Sequence, residues 1–498
     1  MRCGWLARAA VLAAALAAGG AVQAQDLMQS WQSALARDPL YAAARAAYRA
    51  GQERLPQARA NLLPNLSAAL GGEYAEIRTS GNSGRVRSGT RATWDLVLTQ
   101  PLFDWAAFKA LDQAELLVGD SGIALQQAYQ DLLLRLAQAY FDVLAAQDTL
   151  AAIEAEKSAV AEQLAFAKRS FELGNATITD TYEAQSRYDL LIAQELQAQN
   201  ALDVARDVLA TVTGQRPGAL SELPYSAPLP SPQPTGLQAW LDQGVPSNLG
   251  VQRGQLQTRI AQYGIDIARA GHYPRLDLQA SSGSATNQGL QSRNLPAGTS
   301  GRPIDSSVGV VLSIPLYSGG GVSSRVTEQV ALAEQARQLL ENARRSAEQQ
   351  IRQYHAGVLS GLARIRALEA GEASSRAAVQ ANRTGYEVGV RINLDVLNAQ
   401  QQLYATLRDL ARARYDTVMA GLRLRAAGGL LAESDLAAIN QLLLPPSPEG
   451  SQMAERARQA RRASTPPGTG ERAAPAAQGR GASVPAPYLN RGSYAPAP

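Results

Sequence analysis

The chain is almost free of cysteine. Its single cysteine, Cys3, lies within the first 24 residues. This segment has the pattern of a secretory signal peptide: Arg2 and Arg8, a short apolar run over 9–18, and small residues before an expected cleavage after Ala24. A chain cleaved there contains no thiol. The sequence therefore excludes disulfides, cysteine metal sites, a thiol nucleophile and a lipid attached to an N-terminal cysteine.

Histidine is also scarce, with only His272 and His355 in 498 residues. The two lie far apart, and neither belongs to a metal-binding pattern such as H-E-x-x-H. The sequence has no P-loop, no G-x-G-x-x-G and no G-x-S-x-G motif, and the glycine run 319–321 follows a proline, as in a strand-to-helix turn. We predict a protein that is not an enzyme and that holds no cofactor and no metal ion.

The folded part of the chain has little net charge. The first 24 residues contribute two Arg, and residues 445–498 contribute seven Arg and three Glu, so that 38 basic and 40 acidic residues remain between them. The basic character of the whole chain therefore comes from its ends. A nucleic-acid partner is not expected, because such proteins keep a basic patch on the folded domain.

Proline is absent from two long spans, between Pro101 and Pro217 and between Pro315 and Pro445. Both are rich in Ala, Leu, Gln, Glu and Arg, which favours very long helices. Apolar residues recur at heptad spacing, for example Leu136 and Val143, so we expect coiled-coil packing. A helix over about 106–170 would be roughly 100 Å long at 1.5 Å per residue.

Short segments of alternating polarity precede each proline-free span. They cover 66–74 and 93–99 in the first half, and 276–281 and 307–314 in the second. Period-two alternation is typical of strands with one buried and one solvated face. We predict two strand hairpins, each containing a polar loop, with strands of about ten residues, the length that a tilted membrane strand requires.

The two halves are copies of one unit. Residues 171–214 align without a gap with residues 386–429, which places Gly174 opposite Gly389 and Asp180 opposite Asp395. A glycine just past a helix supplies the left-handed conformation of a turn. Each copy should therefore contain a helical hairpin whose tip lies far from the strands, and the repeat identifies a duplicated fold.

The repeat divides the chain into five parts: a signal peptide over 1–24, a first structural repeat over 25–216, a Pro-rich connector over 217–246, a second structural repeat over 247–444, and a tail over 445–498. The tail consists mainly of Pro, Ala, Gly and Arg. It contains too few apolar residues to offset the entropy of ordering, so we predict that it is disordered.

The pattern G-x-x-x-x-x-D-V-L-x-A-x-x-x-L at 389–403, within a duplicated architecture over 26–444, resembles the TolC family of outer-membrane efflux and secretion proteins. The resemblance implies a mainly α fold with a membrane β-barrel. Four strands cannot close a barrel alone, and the family implies a homotrimer with a 12-strand β-barrel, continued by a periplasmic α-helical barrel. It also implies location in the outer membrane of a Gram-negative bacterium, in contact with outer-membrane lipid.

The same resemblance implies an exit duct for type I protein secretion, multidrug efflux or both. Such a duct docks a periplasmic adaptor (membrane fusion) protein and an inner-membrane pump of the ABC or proton-driven type. In the family the hairpin tips close the periplasmic end. Carried over by motif, the implied gate residues are Thr179, Asp180, Tyr386, Arg391, Asp395 and Asn398.

Within this implied gate, Asp395 belongs to an acidic ring, and Tyr386 and Arg391 bind Thr179 and Asp180 of the other hairpin. The chain departs from the best-known aperture at Asn398, where that aperture has a second Asp. One carboxylate per chain weakens a cation-binding ring, which leaves a strong divalent-ion block in doubt.

Two other classes of protein fit part of the pattern. A periplasmic coiled-coil adaptor or structural rod with no pore also has long heptads, but it does not need duplicated strand hairpins. A diffusion porin would have many strands and few helices. Within the duct class, the missing lipid site and the sequence Asn-Ala-Gln at 398–400 favour the type I secretion branch. The sequence identifies neither the exported substrate, nor the pump and adaptor, nor a role for the tail.

Overall fold

The computed structural model describes residues 25–78, 86–288 and 304–445, together with Arg456 and Gln459. The predicted signal peptide, most of the predicted tail and most of the two strand-hairpin loops lie outside these residues. The elements in chain order are α1 (Leu27–Arg37), α2 (Pro39–Gln52), α3 (Arg54–Ala60), β1 (Asn65–Arg78), β2 (Val86–Phe103), α4 (Trp105–Glu172), α5 (Ile178–Thr213), α6 (Leu237–Ser247), α7 (Leu249–Arg269), a 3-10 turn (Ala270–His272), β3 (Arg275–Gln288), β4 (Ile304–Ser313), α8 (Gly321–Glu387), α9 (Asn393–Ala427) and α10 (Glu433–Asn440).

The N-terminal helical segment breaks at Asp38. Its carboxylate accepts a hydrogen bond from the backbone N–H of Tyr41 at 2.6 Å, and Pro39 occupies the first turn of α2. A capping carboxylate followed by proline is a strong helix start. Arg135 of α4 also donates to both oxygens of Asp38 at 3.2 Å. This contact fixes the break against the long helix.

The proline-free spans form the four long helices that the sequence predicts. α4 has 68 residues and α8 has 67, so each is about 100 Å long. α5 and α9, of 36 and 35 residues, turn back along them. The predicted heptad residues Leu136 and Val143 are buried in the largest apolar core, with Tyr140 between them. The helices are therefore stabilised by packing along their length.

The two copies are joined midway along the long helices, in a region that we call the waist. There the connector 217–246 and the segment 430–445 pack across α4 and α9. Leu220 pairs with Gln25, and Glu222 pairs with Leu444. The predicted connector also contains most of α6, which begins at Leu237. The waist thus brings the start, the middle and the end of the described chain together.

The strands form one antiparallel sheet in the order β1-β2-β3-β4. The central pair, β2 with β3, joins the first copy to the second, with Leu98 opposite Ala280. β1 and β4 therefore lie at the edges, and each pairs on one side only among the described strands. Large apolar side chains of this sheet face solvent in the single chain, including Leu70, Val308 and Leu312.

Three strands are longer than the predicted ten residues. β1, β2 and β3 have 14, 18 and 14 residues, while β4 has 10. The prediction followed apolar alternation, which fades towards the loops. Backbone pairing continues past that point because ladder hydrogen bonds do not depend on apolar side chains. Among the helices of the described ranges, none is both long enough and apolar enough to cross a membrane.

Candidate functional site

The candidate site lies at the tips of the two helical hairpins. Gly174 and Gly389 follow α4 and α8 with φ of +74° and +77°. In the first tip, the N–H of Gly174 donates to the carbonyl of Phe171 at 2.9 Å, and Asn175 donates to Ser170 at 2.8 Å. This is a Schellman ending, and it needs a glycine because a side chain is strained in the left-handed region. The second tip has the same two bonds.

Asp180 is held by the first turn of its own helix, α5. Thr177 precedes α5, and its backbone N–H donates to Oδ2 of Asp180 at 3.1 Å. In return the N–H of Asp180 donates to Oγ1 of Thr177 at 3.4 Å. This reciprocal capping box satisfies two helix-end donors. Thr179 lies between them in sequence, with its side chain exposed.

The two tips are joined by Asn393, at the start of α9. This residue is fully buried. Its Nδ2 donates to the backbone carbonyl of Asp180 at 3.0 Å, and its Oδ1 accepts from Nε2 of Gln163 at 2.7 Å. The sequence analysis missed Asn393. The available signal was its alignment with Ile178, because a polar residue that replaces an apolar one between two copies needs a polar partner.

Tyr386 lies in the last turn of α8 and is packed against α4. Its ring meets Phe166 edge to face at a centroid distance of 5.8 Å. Burial raises the pKa of Tyr386, and the negative charge of Asp180 adds to the effect. The structure thus places Tyr386 against Phe166 of α4, and its tie to Asp180 stays a prediction.

Arg391 lies on the surface of the second tip. Its Nη1 is 3.7 Å from Oδ2 of Asp395, and both side chains are more than a third exposed. Its stem covers Gly385, where an added Cβ would lie 2.6 Å from Cγ of Arg391. In this single chain, Arg391 thus pairs within its own hairpin, as Asp180 does. The ties between hairpins stay a prediction, and two of the groups in them, Arg391 and Asp180, have local partners in the single chain.

Asn398 makes a second contact between the copies. It is exposed, and its Oδ1 accepts from Nη2 of Arg187 of α5 at 3.2 Å. Asn398 lies one turn after Asp395, on the same side of α9. Within the described residues, no group of three or more His, Cys, Asp or Glu side chains is arranged to hold a metal ion. The tips therefore combine polar contacts between hairpins with one pair of exposed charges.

Comparisons with known proteins agree with this architecture. The chain matches the outer membrane efflux protein family over residues 31–215 and 240–430. It is 32% identical to outer membrane protein TolC of Vibrio cholerae over 422 residues, which cover 84% of this chain and 94% of that protein. It is 34% identical to the alkaline protease secretion protein AprF of Pseudomonas aeruginosa over 426 residues, which cover 83% of this chain and 86% of that protein.

Among solved structures, the fold is similar to that of the outer membrane protein VceC of Vibrio cholerae. The TM-score is 0.68 at 19% identity, and the match covers 81% of this chain and 97% of that one. The mainly helical fold with a small antiparallel sheet is therefore shared. These matches favour an export duct over a rod without a pore. The chain belongs to the outer membrane efflux protein family, whose members are export channels of the outer membrane and not enzymes.

Proposed function

We propose that three copies of this chain form one duct, with a 12-strand β-barrel in the outer membrane and a helical barrel in the periplasm. The observation that carries the proposal is the open four-stranded sheet with an edge at β1 and another at β4. Lipid offers no hydrogen bonds to such edges, so a membrane sheet must close on itself. Three sheets give an even-numbered barrel in the range that outer-membrane proteins use, and the exposed apolar side chains would then face lipid.

The long helices would continue this barrel. Each chain contributes two helical hairpins, α4 with α5 and α8 with α9, so a homotrimer would ring its axis with six hairpins. The hairpin tips lie at the opposite end from the strands. This arrangement supports a duct that is open at the membrane and narrowed at the tips.

The gate would consist of Thr179, Asp180, Tyr386, Arg391, Asp395 and Asn398. Their positions at two tips that touch through Asn393 support this assignment. Exposed ion pairs such as Arg391–Asp395 contribute only about 0.2–1 kcal/mol each. A closed state would therefore depend on threefold repetition of weak contacts, which also makes it easy to open.

Energy for export would come from an inner-membrane pump, since the sequence has no nucleotide-binding motif. A periplasmic adaptor protein would connect the ABC or proton-driven pump to the tips. The relative from Pseudomonas aeruginosa is named as a protease secretion protein. This name and the Asn-Ala-Gln sequence at 398–400 support type I protein secretion as one use of the duct, beside small-molecule efflux.

The test is single-channel conductance of purified residues 25–498 in a planar bilayer, compared with an Arg391→Ser variant. We expect small, cation-preferring openings that grow markedly in the variant. Arg412→Ser is the matched control, because Arg412 forms the same kind of exposed pair, with Asp416 at 4.0 Å, further along α9. Its conductance should equal that of the wild type.

Two results would count against the proposal. If the protein does not insert into the bilayer, the result favours the alternative class, a periplasmic rod without a pore. Insertion with identical conductance in wild type and Arg391→Ser would keep the duct and remove Arg391 from the gate.

A further inference from the structure

Of the two residues of the C-terminal extension that the structure describes beyond Pro445, Arg456 contacts the waist. Its Nη1 lies 2.9 Å from Oε2 of Glu372, a carboxylate in the C-terminal half of α8. Its guanidinium lies over the ring of Tyr225, at 4.3 Å from the centroid. These contacts join three parts of the chain: the extension, the connector and the second repeat.

The site that receives Arg456 is built from buried groups. Glu372 is 7% exposed, and its other oxygen accepts from Nη2 of Arg376 at 2.7 Å. A buried carboxylate is costly unless it is paired and hydrogen-bonded. Arg376 satisfies one oxygen of Glu372 and Arg456 satisfies the other, so the second arginine completes the site.

Arg414 of α9 holds the backbone around Tyr225 in place. The buried guanidinium of Arg414 donates to the backbone carbonyls of Pro224, Tyr225 and Ala227 at 2.6–3.1 Å. It also lies 5.5 Å from the ring of Tyr225. The connector is thus held rigidly on α9, and the Tyr225 ring presents a face to Arg456. The planar guanidinium suits both parts of this site, since it stacks on an aromatic face and donates to a carboxylate, which an ammonium does less well.

The path of the chain agrees with this contact. Leu444 pairs with Glu222 of the connector through two backbone hydrogen bonds of 2.9 and 2.8 Å, which places Leu444 three residues in sequence from Tyr225 on the paired segment. Eleven residues separate Leu444 from Arg456, and a chain of that length can span up to roughly 40 Å.

We propose that the notch formed by Glu372 and Tyr225 is a docking site for the C-terminal extension of this chain, and that Arg456 is the anchor. The contact clamps the connector between the extension and the long helices. It goes beyond the proposed duct function and does not depend on the gate.

Trypsin provides the first test, because it cleaves after Arg456 only when that side chain is free. In the intact folded protein, we expect cleavage of the Arg456–Ala457 bond to be slow. Glu372→Gln and Tyr225→Leu should each speed it by roughly tenfold or more, the effect expected from losing a charge-assisted contact. Glu348→Gln removes a carboxylate from a similar i,i+4 pair on the same helix, with Arg352 at 3.4 Å; it is the matched control and should leave the rate unchanged. Equal rates in all four proteins would overturn the proposal.

Truncation provides the second test. A chain that ends at Gln459 should melt as the full chain does, whereas a chain that ends at Pro445 should melt at a lower temperature. Arg456→Ala should reproduce the loss, and its effect should be clearly smaller in the Glu372→Gln background, where only the stacking on Tyr225 is left to lose. If the two truncated chains melt alike, the extension is not docked through Arg456.

Discussion

A buried carboxyl in the waist should make the stability of this protein depend on pH. Asp148 of α4 is 7% exposed, and Oδ2 accepts a hydrogen bond from the hydroxyl of Tyr415 of α9 at 2.7 Å. Burial raises the pKa of Asp148 from 3.8 to about 7; the negative charge of Glu222 adds to this rise, while the Tyr415 bond and Arg414 oppose it. We predict that Asp148→Asn removes this pH dependence, because an amide occupies the same space without ionising.

The direction of this pH dependence follows from the protonation of Asp148 in the folded and unfolded states. Between 3.8 and about 7 the unfolded chain ionises Asp148 and the folded chain does not. The free energy of unfolding therefore falls as pH rises through this window. The contribution of the raised pKa of Asp148 to the free energy of unfolding is fully present below the unfolded pKa and is lost above the folded pKa. The full change corresponds to roughly 4 kcal/mol, of which about 2–3 kcal/mol falls between about pH 5 and about pH 8.

The assay is unfolding of the detergent-solubilised protein, followed by far-UV circular dichroism at about pH 5 and about pH 8. The Tm of Asp148→Asn minus the Tm of the wild type should be several degrees larger at the higher pH than at the lower pH. Glu154→Gln, an exposed carboxylate on the same helix, is the control and should show no such trend. A Tm difference between Asp148→Asn and wild type that stays constant with pH would refute a protonated Asp148 in the folded protein.

Three further predictions concern the tips and the core. Asn393→Ala should cost about 1–3 kcal/mol, since two partly buried polar groups, on Asp180 and Gln163, lose their partner, and the melting temperature should fall. Gly389→Ala should cost about 1–2 kcal/mol because φ is +77° there. The control is Gly421→Ala in α9, where an added Cβ would meet open space; it should be neutral or slightly stabilising in the same melt. Phe141→Ala should cost about 3–5 kcal/mol because the ring is fully buried, and Phe166→Ala, at a 36% exposed site, should cost clearly less in denaturant unfolding.

Several features of the fold were predictable because their causes are local in sequence. The absence of proline between 101 and 217 and between 315 and 445 permitted long helices, and those helices are found. Gly174 and Gly389 marked the tips because only glycine adopts their backbone conformation easily.

The candidate site was predicted only in part. The motif at 389–403 led to residues of the tips, because the motif lies at a turn. Asn393 was missed although it bridges the hairpins, since its partners Asp180 and Gln163 are 213 and 230 residues away. The alignment with Ile178 could have marked Asn393 as unusual, but a contact across that separation leaves no local pattern that names its partners.

The sequence by itself determined the elements, their duplication and the family to which the chain belongs, because periodicity, proline, glycine and the repeat act over short stretches. The tertiary structure decided which strands pair, with β2 and β3 joining the copies, and how far each strand extends. It also decided that Asp148 meets Tyr415 across 267 residues and that Arg456 meets Glu372 across 84. These contacts depend on the packing of distant segments, where burial and pairing of polar groups are set by the whole fold.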